Sequence, residues 1–428
     1  MTSNPINTSQ KEEFLDLNTL LIRTRNKSYQ EKIQTFDAFI DQAIEQKCNL
    51  YSRQIISPAG TEVMVRDYYH EEARKMLMFG SNNYLDLANH PKMIEKVNQA
   101  VKKHGLGIAG PPLLNGTTSL HKELEEKLAH MKGKEAAMLF SSGYNANVGL
   151  VSALCKSKKD HFIFDEYSHA SFMDGMKFAK NPGKKFKHND IAELQSILED
   201  ESTQGLNNFI AFEGVYSMDG DTAPLDEIVA LAQKHNAITV LDDAHGSLVM
   251  GENGHGTAEA YNLQKEIDIT LGTFSKAFAM AGGFVTGSSA LINYLRFYSR
   301  SYMFSASMPI PIVAAAIAAL EISEEEGFRR TQLNENVKYA TDQLRRFDLV
   351  CEPEGAIVNV RVPEGMNIRK AAFAFHEMGI FVNSIEFPAV PLKEQRFRIS
   401  MMATHTKAQI DRLVEAFSDI WLMEEIYD

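Results

Sequence analysis

The sequence predicts an α/β fold in which a mostly parallel sheet is covered by helices, followed by a smaller C-terminal α+β domain. Continuous apolar runs bounded by polar turns alternate with helical segments as far as about residue 320. Strands that are apolar throughout are typical of a parallel sheet buried on both faces. Polar residues follow these runs, where the carboxyl ends of parallel strands form a ligand site. The runs are 136–141, 161–165, 208–212, 238–241 and 267–271.

Length and pattern divide the chain into three predicted parts. A chain of 428 residues is too long for one small core. We expect an N-terminal extension at 1–72, a large domain at 73–320 and a small domain at 321–428. The small domain is assigned from strands at 356–362, 381–384 and 397–401, with helices at 367–378 and 407–423.

The charge and the cysteines exclude several classes of protein. Lys and Arg number 44 against 56 Asp and Glu, and the net charge of −12 disfavours nucleic acid and anionic membranes as partners. Cys48, Cys155 and Cys351 are widely spaced, which indicates a reducing compartment and no disulfide framework or zinc site. No signal peptide is visible, and the apolar run 311–320 is too short to span a bilayer. We therefore expect a cytoplasmic protein without a transmembrane segment.

The N-terminal extension is expected to contain one amphipathic helix at 29–47. Tyr29, Ile33, Phe36 and Phe39 recur at helical spacing. The opposite face is acidic, so we prefer packing on the body or on a partner subunit over a lipid surface, which would repel that face. Strands at 61–66 and 75–79 follow. Further helices are expected at 91–104, 119–131, 225–235, 311–324 and 331–347, and two more begin near Asn145 and His169.

Lys276 is the most informative polar residue, because it follows the run 267–271 among Ser, Thr and Gly residues. A lysine withdrawn from water loses its proton readily, and the neutral amine is a nucleophile toward carbonyl groups. Ser142 and Gly143 close another run and open a helix, an arrangement that offers N–H groups and a positive helix end to a phosphate. The other chemistry-bearing residues at strand ends are His169, Ser217, Asp242 and His245.

Each of these residues has an ordinary structural explanation, such as a turn, a buried histidine or a helix cap. Their joint placement at five successive strand ends favours a functional site. No Gly-x-Gly-x-x-Gly follows an early strand and no Gly-x-x-x-x-Gly-Lys-Ser/Thr occurs, which disfavours a dinucleotide site and a P-loop. A phosphate cradle, a carboxylate, two histidines and a Schiff-base lysine together describe a pyridoxal 5′-phosphate (PLP) site. The carboxylate would keep the ring nitrogen protonated, so that the ring can accept electrons.

From about residue 76 to the C-terminus the sequence resembles the α-oxoamine synthases, a branch of the fold-type I PLP enzymes. The resemblance rests on motifs spread over this whole length. They are Phe79-Gly80-Ser81-Asn82-Asn83-Tyr84-Leu85, Asn115-Gly116-Thr117, Ser168-His169-Ala170-Ser171, Gly214-Val215-Tyr216-Ser217-Met218-Asp219-Gly220, Asp242-Asp243-Ala244-His245, Gly272-Thr273-Phe274-Ser275-Lys276, Met303-Phe304-Ser305-Ala306-Ser307-Met308 and Arg396-Phe397-Arg398 with Met402-Ala403-Thr404-His405-Thr406.

This resemblance implies a role for each matching residue. Lys276 would form the Schiff base and remove the α-proton of an amino acid, and Asp242 would pair with the pyridine nitrogen. His245 and Ser217 would contact the phenolic oxygen, and His169 would stack on the ring; the four predicted catalytic residues are Lys276, His169, Asp242 and His245. The phosphate would be held by Ser142, Gly143, Tyr144, Thr273 and Ser275, with Ser305 and Ser307 of a second subunit. Arg398 would bind the substrate carboxylate, and Asn83 would lie near the cofactor.

The implied reaction is a decarboxylative Claisen-like condensation of a small amino acid with an acyl thioester in a homodimer with shared active sites. Within the family the motifs are most similar to those of the soluble bacterial serine palmitoyltransferases. This similarity implies L-serine and a long-chain acyl thioester as substrates and 3-ketosphinganine as the product. Pro112 departs from the family, which usually has Arg there. The acyl chain, its carrier (coenzyme A or acyl carrier protein) and the amino acid therefore stay open, with glycine and alanine as alternatives. A noncatalytic subunit is disfavoured by Lys276, and an aminotransferase by the motifs around His169 and Arg398.

Overall fold

The computed structural model describes residues 17–387 and 389–427. The helices are α1 Leu17–Thr24, α2 Tyr29–Glu45, α3 Pro91–His104, α4 Ser119–Lys132, α5 Gly143–Leu154, α6 Ala170–Met176, α7 Ile191–Glu199, α8 Leu225–His235, α9 Thr257–Ala260, α10 Ser289–Tyr298, α11 Arg300–Met303, α12 Ile310–Glu325, α13 Phe328–Leu344, α14 Ile368–Glu377 and α15 Lys407–Trp421. The strands are β1 Gln54–Ile55, β2 Glu62–Arg66, β3 Arg74–Met78, β4 Ala136–Phe140, β5 Asp160–Asp165, β6 Lys184–Phe186, β7 Asn207–Glu213, β8 Ile238–Asp242, β9 Ile269–Thr273, β10 Gly283–Gly287, β11 Ile357–Arg361, β12 Ile380–Phe381, β13 Asn383–Ile385 and β14 Arg396–Ser400.

The central sheet has seven strands in the spatial order β4-β10-β9-β8-β7-β5-β6. All pairs from β9 to β6 are parallel, whereas β10 runs antiparallel between β9 and β4. The predicted α/β fold with a mostly parallel sheet is confirmed, and the sheet is mixed because of β10. The sequence analysis missed β10, whose five residues are bounded by glycines, and the edge strand β6, which is three residues long and carries two lysines.

Helices cover both faces of the central sheet, and neighbouring residues of one strand enter different cores. Phe209 and Val240 pack with residues of α5 and α10, whereas the adjacent Ile210 and Leu241 pack with residues of α7 and α8. Because successive side chains of a strand point to opposite faces, a sheet covered on both sides needs apolar residues at every position. This explains why the strands appear in the sequence as continuous apolar runs.

The described chain also forms two small sheets, one of which joins its N-terminal and C-terminal parts. One has the order β1-β2-β3-β12, and the other has the order β11-β14-β13. The stretch 381–384, predicted as one strand, is split between them, with Phe381 in β12 and Asn383 in β13. Since β3 pairs in parallel with β12, N-terminal strands share a sheet with the C-terminal part of the chain. The division at residues 72 and 320 remains a prediction.

The amphipathic helix of the N-terminal part is α2, which ends two residues before the predicted boundary. Lys47 has a left-handed backbone (φ 57°) that a continuing helix would not allow. Phe39 and Ala43 are buried, whereas Tyr29 and Phe36 remain exposed on this chain. In the part of the chain that the structure describes, no helix combines the length and the apolar character needed to cross a bilayer.

Candidate active site

The carboxyl ends of five parallel strands lie at one edge of the central sheet. β4 and β9 both pair antiparallel with β10, so β4 runs in the same direction as β5, β7, β8 and β9. Ser142 follows β4, His169 follows β5 and Ser217 follows β7. Asp242 is the last residue of β8, and Lys276 follows β9. The sheet topology thus collects at one edge residues that are far apart in the sequence.

Two adjoining cavities open at this edge. The inner cavity, of about 220 Å³, is lined by Ser142, Gly143, Tyr144, Asn147, Glu213, Asp242, Thr273 and Ser275. The outer cavity, of about 480 Å³, is lined by Tyr51, Arg53, Asn82, Ser217, Arg369, Asn383, Glu386 and Arg398. His169, His245 and Lys276 line both cavities. A group bound in the inner cavity would therefore meet a substrate in the outer one at these three side chains.

Lys276 stands between the cavities with an unusually acidic ammonium group. Withdrawal from water lowers the pKa of Lys276 from 10.5 to about 8, while the nearby Asp242 carboxylate opposes this fall. A lysine with such a pKa supplies neutral amine near physiological pH, which is the form that attacks a carbonyl carbon. Lys276 is therefore chemically suited to form an imine.

The start of α5 and the end of β9 form one wall of the inner cavity. Ser142 caps α5, because its Oγ accepts the N–H of Asn145 (3.1 Å). Thr273 Oγ1 and Ser275 Oγ lie 2.8 Å apart beside it. A Cβ atom at Gly143 would lie 2.8 Å from Thr273 Cβ, so glycine permits this close approach of helix and strand. A helix N-terminus with two hydroxyl groups at its side is suited to bind a phosphate.

Asp242 lies in the inner cavity with its carboxylate fixed by two donors. Asn147 Nδ2 donates to Asp242 Oδ2 (2.8 Å), and the N–H of Ala244 donates to Oδ1 (3.1 Å). The buried Oδ1 of Asn147 accepts no hydrogen bond within the described chain, although it belongs to the same cavity wall. An aromatic ring nitrogen that carries a proton would find an oriented acceptor in Asp242.

His169 lines both cavities in its neutral form. Its Nδ1 accepts the N–H of Ser171 (3.2 Å), so a neutral ring carries its proton on Nε2. Burial lowers the pKa of His169 below 6.5. The negative charge of Asp242 raises this pKa, and the nearby Lys276 lowers it. The main-chain N–H of His169 donates to Glu213 Oε1 (2.6 Å). The imidazole therefore presents a flat neutral surface with one donor.

His245 and Arg398 belong to one buried network. The Tyr84 hydroxyl donates to Asn82 Oδ1 (3.1 Å) and lies 2.8 Å from His245 Nδ1, which therefore acts as the donor in this pair. Burial, together with the charges of Lys276 and Arg398, lowers the pKa of His245 well below 6.5. A neutral His245 then keeps Nε2 as an acceptor.

Arg398 projects from β14 and is 5% exposed. Its Nε donates to the Ser217 carbonyl oxygen (2.7 Å), and its Nη1 donates to Asn82 Oδ1 (3.1 Å) and to Ser400 Oγ (3.0 Å). These bonds hold the guanidinium in the wall of the outer cavity, where a carboxylate is its natural ligand.

The N-terminal extension supplies part of the outer cavity. The Tyr51 hydroxyl donates to Glu386 Oε1 (3.0 Å), and the same carboxylate accepts Arg369 Nε (2.8 Å). The guanidinium of Arg53 lies 3.6 Å from the centre of the Phe381 ring. Residues 48–53 therefore form a wall of the cavity that contains Lys276, which the sequence analysis did not predict.

Three predicted site residues lie outside both cavities in this chain. Asn83 is used in a turn, where its Oδ1 accepts the N–H of Leu87 (3.0 Å), and its neighbour Asn82 lines the outer cavity instead. Ser305 lines a separate apolar hollow of about 740 Å³. Ser307 lies beside this hollow, where its N–H donates to the Gly110 carbonyl oxygen (3.0 Å) and its buried Oγ has no protein partner in the described chain.

Pro112, the departure from the family pattern, begins a short helical turn at Pro112–Gly116. Leu113 and Leu114 of this turn line the same apolar hollow. Gly110, just before the turn, accepts the N–H of Ser307. The difference at Pro112 therefore lies away from Lys276 and beside Ser305 and Ser307.

Sequence reasoning missed three polar residues of the inner and outer walls. Glu213 directly follows the predicted run 208–212, and a charged residue that closes an apolar strand was an available signal. Asn147 lies five residues after the cap residue Ser142, which is more than one helical turn, so helical spacing did not place it beside the cap. Asn82 differs from the predicted Asn83 by one position, which the sequence could not distinguish.

The residues present fit PLP. The inner cavity has a phosphate cradle at the start of α5, a carboxylate for the ring nitrogen at Asp242, and Lys276 where the aldehyde would lie. Asn147, which lines the same cavity, has a buried Oδ1 without a protein partner among the described residues. The fold and this site define a fold-type I PLP enzyme.

Comparison with known proteins identifies the family. The model of the family described as aminotransferase class I and II matches residues 74–417. The serine palmitoyltransferase of Sphingobacterium spiritivorum is 40% identical over 382 residues, which are 88% of this chain and 92% of that protein. The 8-amino-7-oxononanoate synthase of Thermoanaerobacter pseudethanolicus is 36% identical over 388 residues, covering 89% and 96%. A serine palmitoyltransferase variant from S. paucimobilis, solved with a bound PLP–myriocin aldimine, has a TM-score of 0.86 at 31% identity and covers 92% of this chain and 98% of its own.

The chain belongs to the aminotransferase class I and II family and, within it, to the α-oxoamine synthases. It is a PLP-dependent acyltransferase. The alternative of a noncatalytic subunit is thereby set aside. The names of these relatives refer to different reactions, so the comparisons do not determine the substrates of this chain.

Proposed function

We propose that this enzyme condenses L-serine with a long-chain acyl thioester to give 3-ketosphinganine, carbon dioxide and the free thiol. A bond forms between the α-carbon of serine and the thioester carbonyl carbon, the carbon–sulfur bond breaks, and the serine carboxylate leaves as carbon dioxide. The observation that carries the proposal is the outer cavity, in which Arg398 faces the same space as Lys276 beside the cofactor cavity. The similarity to the Sphingobacterium spiritivorum serine palmitoyltransferase supports serine as the amino acid.

The side chains divide the work between the two cavities. PLP supplies a protonated ring that accepts electrons from the substrate α-carbon. The Asp242 carboxylate, held in place by Asn147 and Ala244, would accept a hydrogen bond from the protonated ring nitrogen. Lys276 Nζ takes the α-proton, for which its lowered pKa of about 8 suits it, since a general base works best when its pKa is near the working pH.

The remaining residues bind and orient. Arg398 would bind the serine carboxylate, and the neutral His169 imidazole would stack on the cofactor ring with its Nε2–H available to the substrate. His245 Nε2 and Ser217 contact the phenolic oxygen of the cofactor. Ser142, Gly143, Tyr144, Thr273 and Ser275 would hold the phosphate, and Asn82 in place of Asn83 would lie beside the bound groups.

The test is incubation of the purified enzyme with L-serine and palmitoyl thioester, with carbon dioxide release and product mass as readouts. We expect product formation with L-serine above that with glycine or alanine. Coenzyme A and acyl carrier protein thioesters are compared in parallel, which identifies the carrier. No product with any thioester would reject the condensation.

A different amino acid and acyl group are the second candidate for the substrates. Pro112 and the 36% identical 8-amino-7-oxononanoate synthase favour it. Titration of the cofactor absorbance with single amino acids distinguishes the two candidates. Tightest binding of L-serine supports the first candidate, and tightest binding of another amino acid supports the second.

We further propose a cytoplasmic homodimer. The apolar hollow beside Ser305 is surrounded by large exposed side chains, with Leu106 and Phe304 each 70% exposed and Leu114 81% exposed. A second copy that covers this surface would bring its Ser305 and Ser307 toward the neighbouring site. Three unpaired cysteines support a reducing compartment. Light scattering should give a dimer that Phe304→Glu dissociates; a monomeric parent enzyme would refute the homodimer.

A further inference from the structure

Glu213 is a buried carboxyl group in the inner cavity to which the proposed function assigns no role. It is the last residue of β7, and its side chain is 5% exposed. Its Oε1 accepts the main-chain N–H of His169 at 2.6 Å. His169 is the cap residue of α6, so its N–H has no partner within that helix. Glu213 therefore satisfies the backbone of the residue whose ring covers the cofactor cavity.

The strand register places two carboxyl groups side by side. Glu213 of β7 is directly paired with Asp242 of β8 in the parallel ladder. Neighbouring strands lie about 4.8 Å apart, and paired residues of adjacent strands point to the same face of a sheet. Two negative charges in that arrangement repel each other strongly in a buried site. A proton on one of the two groups would remove this repulsion.

The hydrogen bonds indicate which group keeps its charge. Asp242 accepts from Asn147 and Ala244, whereas Glu213 accepts from a single main-chain donor. Among the described residues Glu213 has no ion pair, although Lys276 lies in the same cavity. Burial and the charge of Asp242 raise the pKa of Glu213 well above 4.5, and Lys276 opposes the rise. The ionisable groups that act on Glu213 or respond to it are Asp165 of β5, Asp242 of β8, Tyr216 after β7 and Lys276 after β9.

We propose that Glu213 is a positioning residue that remains a neutral carboxylic acid, fixes the main chain of His169 and leaves Asp242 as the charged member of this pair of carboxyl groups. The proposal rests on the roles given above to His169 and Asp242. A neutral acid accepts the His169 N–H without adding a second charge. The ring nitrogen then faces one carboxylate, and the His169 imidazole keeps a fixed orientation.

Two variants of similar size separate the hydrogen bond from the charge. Glu213→Gln keeps a neutral acceptor, and we expect its cofactor affinity, L-serine affinity and pH profile of cofactor absorbance to match those of the parent enzyme within about twofold. Glu213→Leu removes the acceptor and leaves a buried N–H unpaired, an effect equivalent to about 5- to 150-fold. We expect the affinities for cofactor and L-serine to fall by about tenfold or more within that span.

Glu125→Gln is the matched control, because Glu125 is also buried but pairs with Arg296 on the outside of α4. We expect its thermal unfolding to change while cofactor absorbance and affinity do not. An infrared difference spectrum between the parent enzyme and Glu213→Gln reads the protonation directly, even if the leucine variant does not fold. A carboxylic-acid carbonyl band that disappears in the glutamine variant supports the proposal, and a carboxylate band refutes it.

A shift of the absorbance pH profile in Glu213→Gln would mean that Glu213 is charged and would overturn the neutral acid. Unchanged affinities in a folded Glu213→Leu would overturn the positioning role. None of these readouts needs a condensation reaction. A failure of the serine–thioester assay would therefore be distinguishable from a failure of this inference.

Discussion

Replacement of Lys132 by methionine tests how the loop that carries Asp242 and His245 is held. Lys132 lies at the end of α4, and its Nζ is 2.5 Å from Asp243 Oδ2 and 2.6 Å from the His255 carbonyl oxygen. The side chains of Lys132 and Asp243 are 4% and 1% exposed. The other oxygen of Asp243 accepts the N–H (3.1 Å) and Oγ1 (2.7 Å) of Thr257. This pair therefore joins the Asp242–His245 loop to the segment around Thr257.

Lys132→Met keeps most of the side-chain length and removes the charge. It leaves a buried carboxylate without its cation, which costs about 3–5 kcal/mol of unfolding free energy. Asp243→Asn added to the same chain removes that uncompensated charge while keeping an acceptor for Thr257. We expect the double variant to be more stable than Lys132→Met alone.

Urea unfolding of the cofactor-free enzyme measures these differences. The control is Lys122→Met, because Lys122 is 48% exposed in its pair with Glu125 and an exposed pair contributes at most about 1 kcal/mol. If Lys132→Met were as mild as Lys122→Met, the buried pair would not hold the loop. If the double variant lost the sum of both single effects, the explanation by an uncompensated charge would be wrong.

Three further predictions concern the site itself. Lys276→Ala should abolish turnover and leave the circular dichroism spectrum unchanged, and borohydride reduction of the parent enzyme should attach the cofactor to Lys276 alone; a label on another lysine would contradict the assignment. Arg398→Ala should weaken L-serine binding by about 1.5–3 kcal/mol, the usual value of hydrogen bonds to a charged group, as measured by spectral titration; an unchanged dissociation constant would exclude the carboxylate role. The rate at which cofactor-free enzyme captures PLP should rise with pH through about 8, because the neutral amine of Lys276 is the reacting form and its pKa is lowered from 10.5; stopped-flow absorbance that shows a flat or falling rate between pH 7 and 9 would contradict it.

The parallel sheet was predictable because burial on both faces leaves a local signal. Each strand end could be located from its own apolar run, and strands of one direction bring their carboxyl ends together. Lys276, Asp242 and His169 were found in this way. The strand β10 was not predicted, since its five residues begin and end with glycine and the three between them are too few to form a recognisable apolar run.

Pairings between distant residues could not be predicted. The contact of His169 with Glu213 and the contact of Tyr51 with Glu386 join positions separated by 44 and 335 residues. Such contacts depend on register and on tertiary packing, which a single sequence does not encode in any local pattern. For the same reason the sequence could not show that Asn82 rather than Asn83 lines the outer cavity. The conformation of the turn decides which of the two side chains faces the cavity.

The inner and outer cavities are built by different parts of this molecule. The inner cavity is built by the ends of the central strands, whose buried positions leave little freedom for substitution. The outer cavity is completed by residues 48–53 and by Arg369 and Glu386, which lie outside the central sheet. Substitutions there leave the cofactor wall intact while they change the space next to Lys276. A serine palmitoyltransferase and an 8-amino-7-oxononanoate synthase can therefore both be similar to this chain, at 40% and 36% identity, and the choice of substrate should be sought in the outer wall.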